Sequence, residues 1–348
     1  MIQRFRRTPA FTGFVLFIVA IALNVIVQGI YSGNALAFFR PASVSTLVMS
    51  NAQFLLVCMA QSLLLISGTM DLSIGIQLAL VNVVCITISD TLGMPVPVGW
   101  LVGILSAVVA SVLCGLGCVV LRLPPLLVGY AMTYVIKGVN VLIMSIPGGK
   151  VPKAYWKPYQ SPIGGVVPVS LLIIIAVFLF WVYLKHTRFG KHIYAVGGSP
   201  RNAFAAGIDP VKVQMKAFII KGVITGIAGI CLTLMTASGN PLQAEDYGLR
   251  SLSACIMGGL GFGGWGSMAC AVFGGGFFIV IGNTVYYLFS LLPKLIPGFV
   301  ATSYWQNMVS DVILLFGLFM TIVTAKGQRE TLKQGAINQL KRGEKYAK

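Results

Sequence analysis

Along the chain, unbroken apolar runs alternate with short polar stretches. Nine runs, roughly 12 to 30, 46 to 67, 72 to 89, 98 to 120, 126 to 144, 166 to 184, 217 to 238, 268 to 292 and 304 to 324, each supply the roughly 17–25 residues an α-helix needs to span a bilayer. The pattern predicts an all-α, polytopic membrane protein. Composition agrees: of 348 residues, 57% are hydrophobic and only 9% charged, unlike the usage of a soluble domain. Arg4, Arg6 and Arg7 before the first run and Ala35-Leu36-Ala37 after it imitate a secretory leader. The apolar region is too long for one, so it is read as a span.

The net charge of +17 points to membrane orientation rather than to nucleic acid, because cytoplasmic loops of membrane proteins concentrate Lys and Arg. Of the 25 Lys and Arg, 3 precede the first run, 6 lie between Lys185 and Lys216, and 7 lie from Lys326 onward. All three regions are expected on the cytoplasmic side. Six crossings return the chain inside at Lys185, but three more would leave the basic tail outside, so one crossing is missing. Gly248 to Gly264, GLRSLSACIMGGLGFGG, is the segment left to supply it. Too short and glycine-rich for an ordinary span, it is expected as a broken crossing within the bundle, where protein or a water-filled cavity satisfies its backbone. About ten crossings follow, with both termini cytoplasmic.

A second interruption, ISGTMDLSIG at Ile66 to Gly75, separates two runs without a real loop. It bears a weak likeness to IMGGLGFGGWG at Ile256 to Gly266. Paired glycine-interrupted segments in two halves of a chain point to transporter architecture and to a substrate path. Two coincidental turns would give the same pattern.

AVGGSPRNAFAAGIDPVK, from Ala195 to Lys212, breaks the apolar pattern differently. Ser199 suits a helix N-cap, Pro200 the first helical position and Gly207 the left-handed residue past the end. A short helix, Pro200 to Ala206, follows, carrying Arg201, Asn202 and a single bulky apolar residue, Phe204, with Asp209-Pro210 closing it. So short a helix is marginal alone and calls for a docking partner; the alternative is a helix lying on lipid headgroups.

The run TRFGKHIYAVGGSPRNAFAAGID, the GxxxG of Gly222 and Gly226, IMGGLGFGGWGS and the early SGTMDLSIG together closely resemble the permease subunits of ribose-type monosaccharide ABC importers, over roughly residues 45 to 325. The resemblance implies one transmembrane permease domain over residues 1–348: a cytoplasmic N-terminus (1–11), a bundle (12–324) carrying a cytoplasmic loop (185–216), and a basic tail (325–348). It implies a multi-pass protein of the bacterial inner membrane, paired with a second permease copy or paralogue. Further implied partners are ABC ATPase subunits, which bind ATP and Mg, and a periplasmic solute-binding protein that delivers a sugar-like substrate. This chain is expected to hold no cofactor. By the resemblance, Ser199, Pro200, Arg201, Asn202, Phe204, Gly207 and Asp209 form the coupling helix that docks on the ATPase.

Two departures from the family pattern stand out. Ser199 replaces a common Asn, with Pro200 and Arg201 where acidic or small residues are usual. The family's Tyr-Glu-Leu-Asp run is here Tyr247-Gly248-Leu249-Arg250, which loses two carboxylates, gains a cation and would suit a heteromeric permease pair. Lys150, Lys153 and Lys157, in a loop expected outside, fit either a docking surface for an acidic binding protein or an ordinary solvated loop.

A sugar path needs neutral hydrogen-bonding groups that release their ligand. Gln53, Asp71, Gln77, Asn82, Asn140, Asn283 and Asn307 are the candidates within or beside spans. Interhelical hydrogen bonds, about 0.6 kcal/mol each, are the competing role for each, and Asp71 equally suits an N-cap for a helix beginning at Leu72. Lys137 shares a face with Asn140, Lys221 is expected to snorkel to the cytoplasmic interface, and Ser303, Asn307, Ser310 and Asp311 make a polar stripe in the last run. Seven cysteines and two histidines fall without metal-ligand spacing.

No Gly-x-x-x-x-Gly-Lys-Ser/Thr run occurs, so the chain is expected to leave ATP hydrolysis to a partner. An ion-coupled secondary transporter, using Asp71 and Asp311 as its coupling acids, is the rival class. Within the family, nucleosides, inositol, a signalling sugar derivative or branched-chain amino acids are alternative substrates.

Overall fold

A computed structural model gives the fold; it describes residues 9–34, 36–261 and 263–295, with 305, 308, 309, 311, 312 and 315 beyond them. In chain order the helices are α1 (Ala10–Ser32), α2 (Pro41–Ile66), α3 (Ile74–Ile86), α4 (Val96–Gly115), α5 (Pro125–Ile143), α6 (Lys153–Gln160), α7 (Val169–His186), α8 (Arg188–Gly198), α9 (Pro200–Ala205), α10 (Pro210–Thr236), α11 (Tyr247–Met257) and α12 (Met268–Leu295). Single π-helical turns extend α3 to Thr91 and α4 to Val120. With those turns included, eight of these helices (α1 to α5, α7, α10 and α12) are long and apolar enough to cross a membrane. They coincide with eight of the nine apolar runs; most of the ninth, including Ser303, Asn307 and Ser310, lies outside the described residues.

Proline sets many of the starts. It occupies the first turn of α2, α4, α5, α9 and α10, where its missing N–H has no intrahelical partner to lose. The bundle is built around α2, 83% of whose apolar stretch is buried, with α10 and α12 packed on it. The GxxxG pair of α10 faces α4: a Cβ on Gly222 or Gly226 would lie 2.8 Å from the Cα of Val108 or Ile104. Small residues here let two backbones approach closely, as is common between membrane helices. The first run belongs to the bundle, since Asn24 Nδ2 of α1 donates to Val280 O at 3.3 Å and Thr284 Oγ1 at 2.9 Å on α12.

One end of the bundle gathers the C-terminus of α2, the α8–α9 segment, the start of α10 and the α11–α12 loop. The Gly263 and Gly264 amides donate to the Leu65 and Ile66 carbonyls at 3.3 and 3.0 Å, Gln214 Nε2 to Ser67 O at 3.0 Å, and Tyr194 Oη to Gly266 O at 3.0 Å. Both glycines have positive φ, 83° and 74°, a conformation costly to other residues. Pro9, ahead of α1, packs on Gly259 at this same end. At the opposite end Gly148 and Gly239 exchange backbone hydrogen bonds of 2.9 and 2.8 Å, and Gln160 Nε2 reaches the Leu234 and Met235 carbonyls. The connection carrying α6 therefore closes over the end of α10.

The two glycine interruptions meet. A Cβ on Gly248 would overlap the Leu72 carbonyl oxygen, and one on Gly75 the Ala244 carbonyl oxygen. Between the two ends of the bundle the chain runs as a non-helical stretch, 237–246, and then as α11. Eleven residues of helix extend only about 16 Å, half of a bilayer core. The broken segment expected at 248–264 is thus half helix and half turn, and its approach from the other end is non-helical.

Candidate functional site

The short helix sits where its sequence signals place it. Ser199 Oγ accepts the Asn202 amide at 3.3 Å, and α9 ends one residue earlier than expected, at Ala205, before Gly207 at φ +80°. Asp209 closes α9 by starting α10: its Oδ1 accepts the Val211 and Lys212 amides at 3.0 and 3.2 Å. The Lys212 amide, with its ammonium nearby, holds the exposed Asp209 carboxyl below the usual range. Arg201 and Asn202 are exposed, and Phe204 is 71% exposed. A bulky apolar side chain is thus presented on a capped turn that a four-residue link, 206–209, joins to the central helix α10.

Deep in the bundle, Asp71 and Lys221 form an ion pair of 2.7 Å in which neither side chain reaches solvent. Lys221 Nζ also donates to Gln77 Oε1 at 2.6 Å and Ser111 Oγ at 3.1 Å. Asp71 accepts from Ser73 N, Ser73 Oγ and Gln77 Nε2 at 2.8, 2.6 and 3.0 Å. The cluster joins the break before α3 to α4 and α10. Two expectations change: Lys221 does not snorkel, because α10 begins at Pro210 rather than near 217 and puts it about 16 Å into the helix; and Asp71 organises a turn before a helix that starts at Ile74, not Leu72.

Asn82 and Asn140 hold the non-helical stretch. Asn82 donates to Thr233 Oγ1 and Ser238 O and accepts from Asn240 N; Asn140 Nδ2 donates to Ile76 O and Pro241 O. Gln53 donates to Ser50 O, and its Oε1 is buried without a hydrogen-bond partner. Asn283 lines a cleft between α1, α2, α11 and α12, while Asn307 lies outside the described residues. The structure thus divides the candidate path residues among a buried ionic cluster, a backbone brace and a cleft wall.

Sequence reasoning named Lys137, Arg250 and Asp311 but missed the ion pairs they make. Lys137 of α5 pairs with Glu245 at 2.8 Å, both about one-third exposed. Arg250 of α11 meets Asp246 and Asp311, each at 2.9 Å. The cation at position 250 therefore finds its counter-charges within the chain, which removes the charge argument for a heteromeric pair. Asp71 and Asp311, the two acids an ion-coupled transporter would use, are both committed to ion pairs. Among the described residues no cluster of three or more His, Cys, Asp or Glu has metal-binding geometry, and all seven cysteines are buried and free.

Long apolar helices, backbone breaks meeting inside the bundle, and a capped helix at one end define a membrane transport subunit. The chain belongs to the family described as branched-chain amino acid transport system / permease component, whose model matches residues 43–318. It is 26% identical to an L-arabinose ABC transporter permease of Azospirillum brasilense, covering 85% of this chain and 84% of that one. It is 23% identical to the galactose/methyl galactoside import permease of Escherichia coli, over 81% and 86%, and 28% identical to the D-allose transport system permease of the same organism, over 71% and 75%. No solved structure matches the chain.

Proposed function

We propose that this chain is the permease subunit of an ATP-driven importer that carries a monosaccharide or a closely similar solute across the bacterial inner membrane. The relatives it resembles are named as permeases for fructose, arabinose, galactose and allose. The observation that carries the reading is Phe204, exposed on a capped helix rooted on α10. That helix fits a groove of a cytoplasmic ATPase, which binds ATP and Mg. The basic loop 185–216 and the contact of Pro9 at the same end support a cytoplasmic N-terminus; the basic tail, outside the described residues, fits the same side by charge. With residues 237–258 and the ninth run as further crossings, ten are reached.

Ionisable groups at membrane depth face a bundle interior or a water-filled cavity, not acyl chains. Lys137, Glu245 and Arg250 lie on the outside of one chain, so a second permease copy or paralogue covers this face around an aqueous path. Exposed Lys150, Lys153 and Lys157 at the opposite end suit an acidic face of a solute-binding protein. The test is uptake by vesicles holding the permease, its ATPase and its binding protein, using labelled arabinose, fructose, galactose and allose, with labelled leucine beside them. Uptake of a sugar that stops without ATP is expected; uptake driven by a sodium or proton gradient instead would overturn the reading.

A further inference from the structure

The cleft between α1, α2, α11 and α12 is larger and more polar than packing requires. Its outer part, about 410 Å³, is bounded by Gln28, Ser50, Asn51 and Asn283. Its inner part, about 200 Å³, shares Asn51 and Asn283 and ends on Phe54, Tyr247 and Arg250. The outer part alone falls within the roughly 300–1,000 Å³ of small-molecule sites.

Three observations show that the cleft is built for a ligand. Gln28 is 95% buried at its wall, and its Oε1, itself shut off from solvent, has no hydrogen-bond partner, a costly arrangement that a turn of the amide toward the cleft would relieve. Asn283 makes no hydrogen bond to another described residue, and Asn51 uses its Nδ2 on Leu47 O, leaving its Oδ1 available. Gly282 lies in the middle of α12 and on the cleft wall, and nothing stands within 4 Å of where its Cβ would be. Glycine there costs the helix about 1 kcal/mol relative to Ala and serves no close packing, so its effect is to keep the space open.

The chemistry of the walls selects the ligand. Amides offer donors and acceptors to hydroxyls, and Phe54 and Tyr247, edge to face at 5.1 Å, offer apolar surface to a ring's C–H face. Arg250, the one cation among the described wall residues, is already met by two carboxylates, so the group carries excess negative charge and repels anions. We propose that this cleft is a substrate subsite that takes a neutral monosaccharide by its hydroxyls and rejects sugar acids and sugar phosphates. The proposal rests on the sugar-importer reading and adds where, and in what charge state, the sugar is held.

The test is saturation-transfer NMR on the full chain in phosphatidylcholine nanodiscs, free of sugar-headed detergent, with galactose, arabinose, allose, glucuronate and glucose 6-phosphate as probes. Saturation of at least one neutral sugar and of neither anion is expected. Asn51→Ala and Asn283→Ala should each weaken binding about 2- to 10-fold. Gly282→Leu should fill the cleft and abolish binding; because it improves helix propensity, an unchanged melting temperature separates blockage from misfolding. Anions bound as well as neutral sugars, wild-type binding in folded Gly282→Leu, or no sugar bound by the wild type would each overturn the subsite. Vesicle uptake separates this failure from that of the parent reading: sugar carried into vesicles without binding in the cleft sinks only the subsite.

Discussion

At the scale of single residues, the buried Asp71–Lys221 pair has the largest energetic consequence. Both charges are fully desolvated; Asp71 also accepts from Ser73 and Gln77, and Lys221 also donates to Gln77 and Ser111. Removing one partner strands the other, at a cost of about 3–5 kcal/mol. Asp71→Asn and Lys221→Met are each expected to lower the thermal unfolding midpoint of the purified chain, and the double variant to recover much of the loss. Single variants that melt with the wild type would show that the pair is not formed. The sequence held both residues in plain view, but their partnership spans 150 positions, and a lysine beside an apolar run reads locally as an interfacial one. An unmatched Asp in the break before one apolar run and an unmatched Lys inside another were the available signal.

At the scale of elements, the eight described spans were legible because length and hydrophobicity alone decide them. The caps of α9 were legible too, since Ser-Pro at the start and Gly past the end are local signals. What surrounds the breaks was not, because it depends on which backbones meet. Gly248 has a steric reason in this chain: α11 starts directly against the Leu72 carbonyl. Gly248→Ala is therefore expected to displace α11, which carries Tyr247 and Arg250, and to reduce ATP-dependent uptake severalfold with the chain still inserted in the membrane. Full uptake by Gly248→Ala would mean that the two breaks are not tightly packed. Asp209→Ala should remove the cap of α10, read as a lower unfolding midpoint. Because the folded carboxyl is held below its usual range, that contribution is present at neutral pH and fades only as acid protonates it.

At the scale of the whole molecule, the parts form a mechanical series. α9 rides on α10; α10 is locked through Lys221 to the turn before α3; that turn abuts α11; and α11 carries the charged and aromatic groups of the cleft. A displacement of α9 by a nucleotide-driven partner would pass through the short 206–209 link, whose Asp209 caps α10, and then along these packed elements. The account depends on α9 being the attachment point. The most direct measurement is co-purification of the tagged chain with the ABC ATPases of its own organism, comparing the wild type with Phe204→Glu. The account predicts that the wild type retains the ATPase and that Phe204→Glu, still folded and inserted, loses it. An ATPase retained equally by both would contradict the assignment of the lever, and no ATPase bound to either would contradict the proposed function itself.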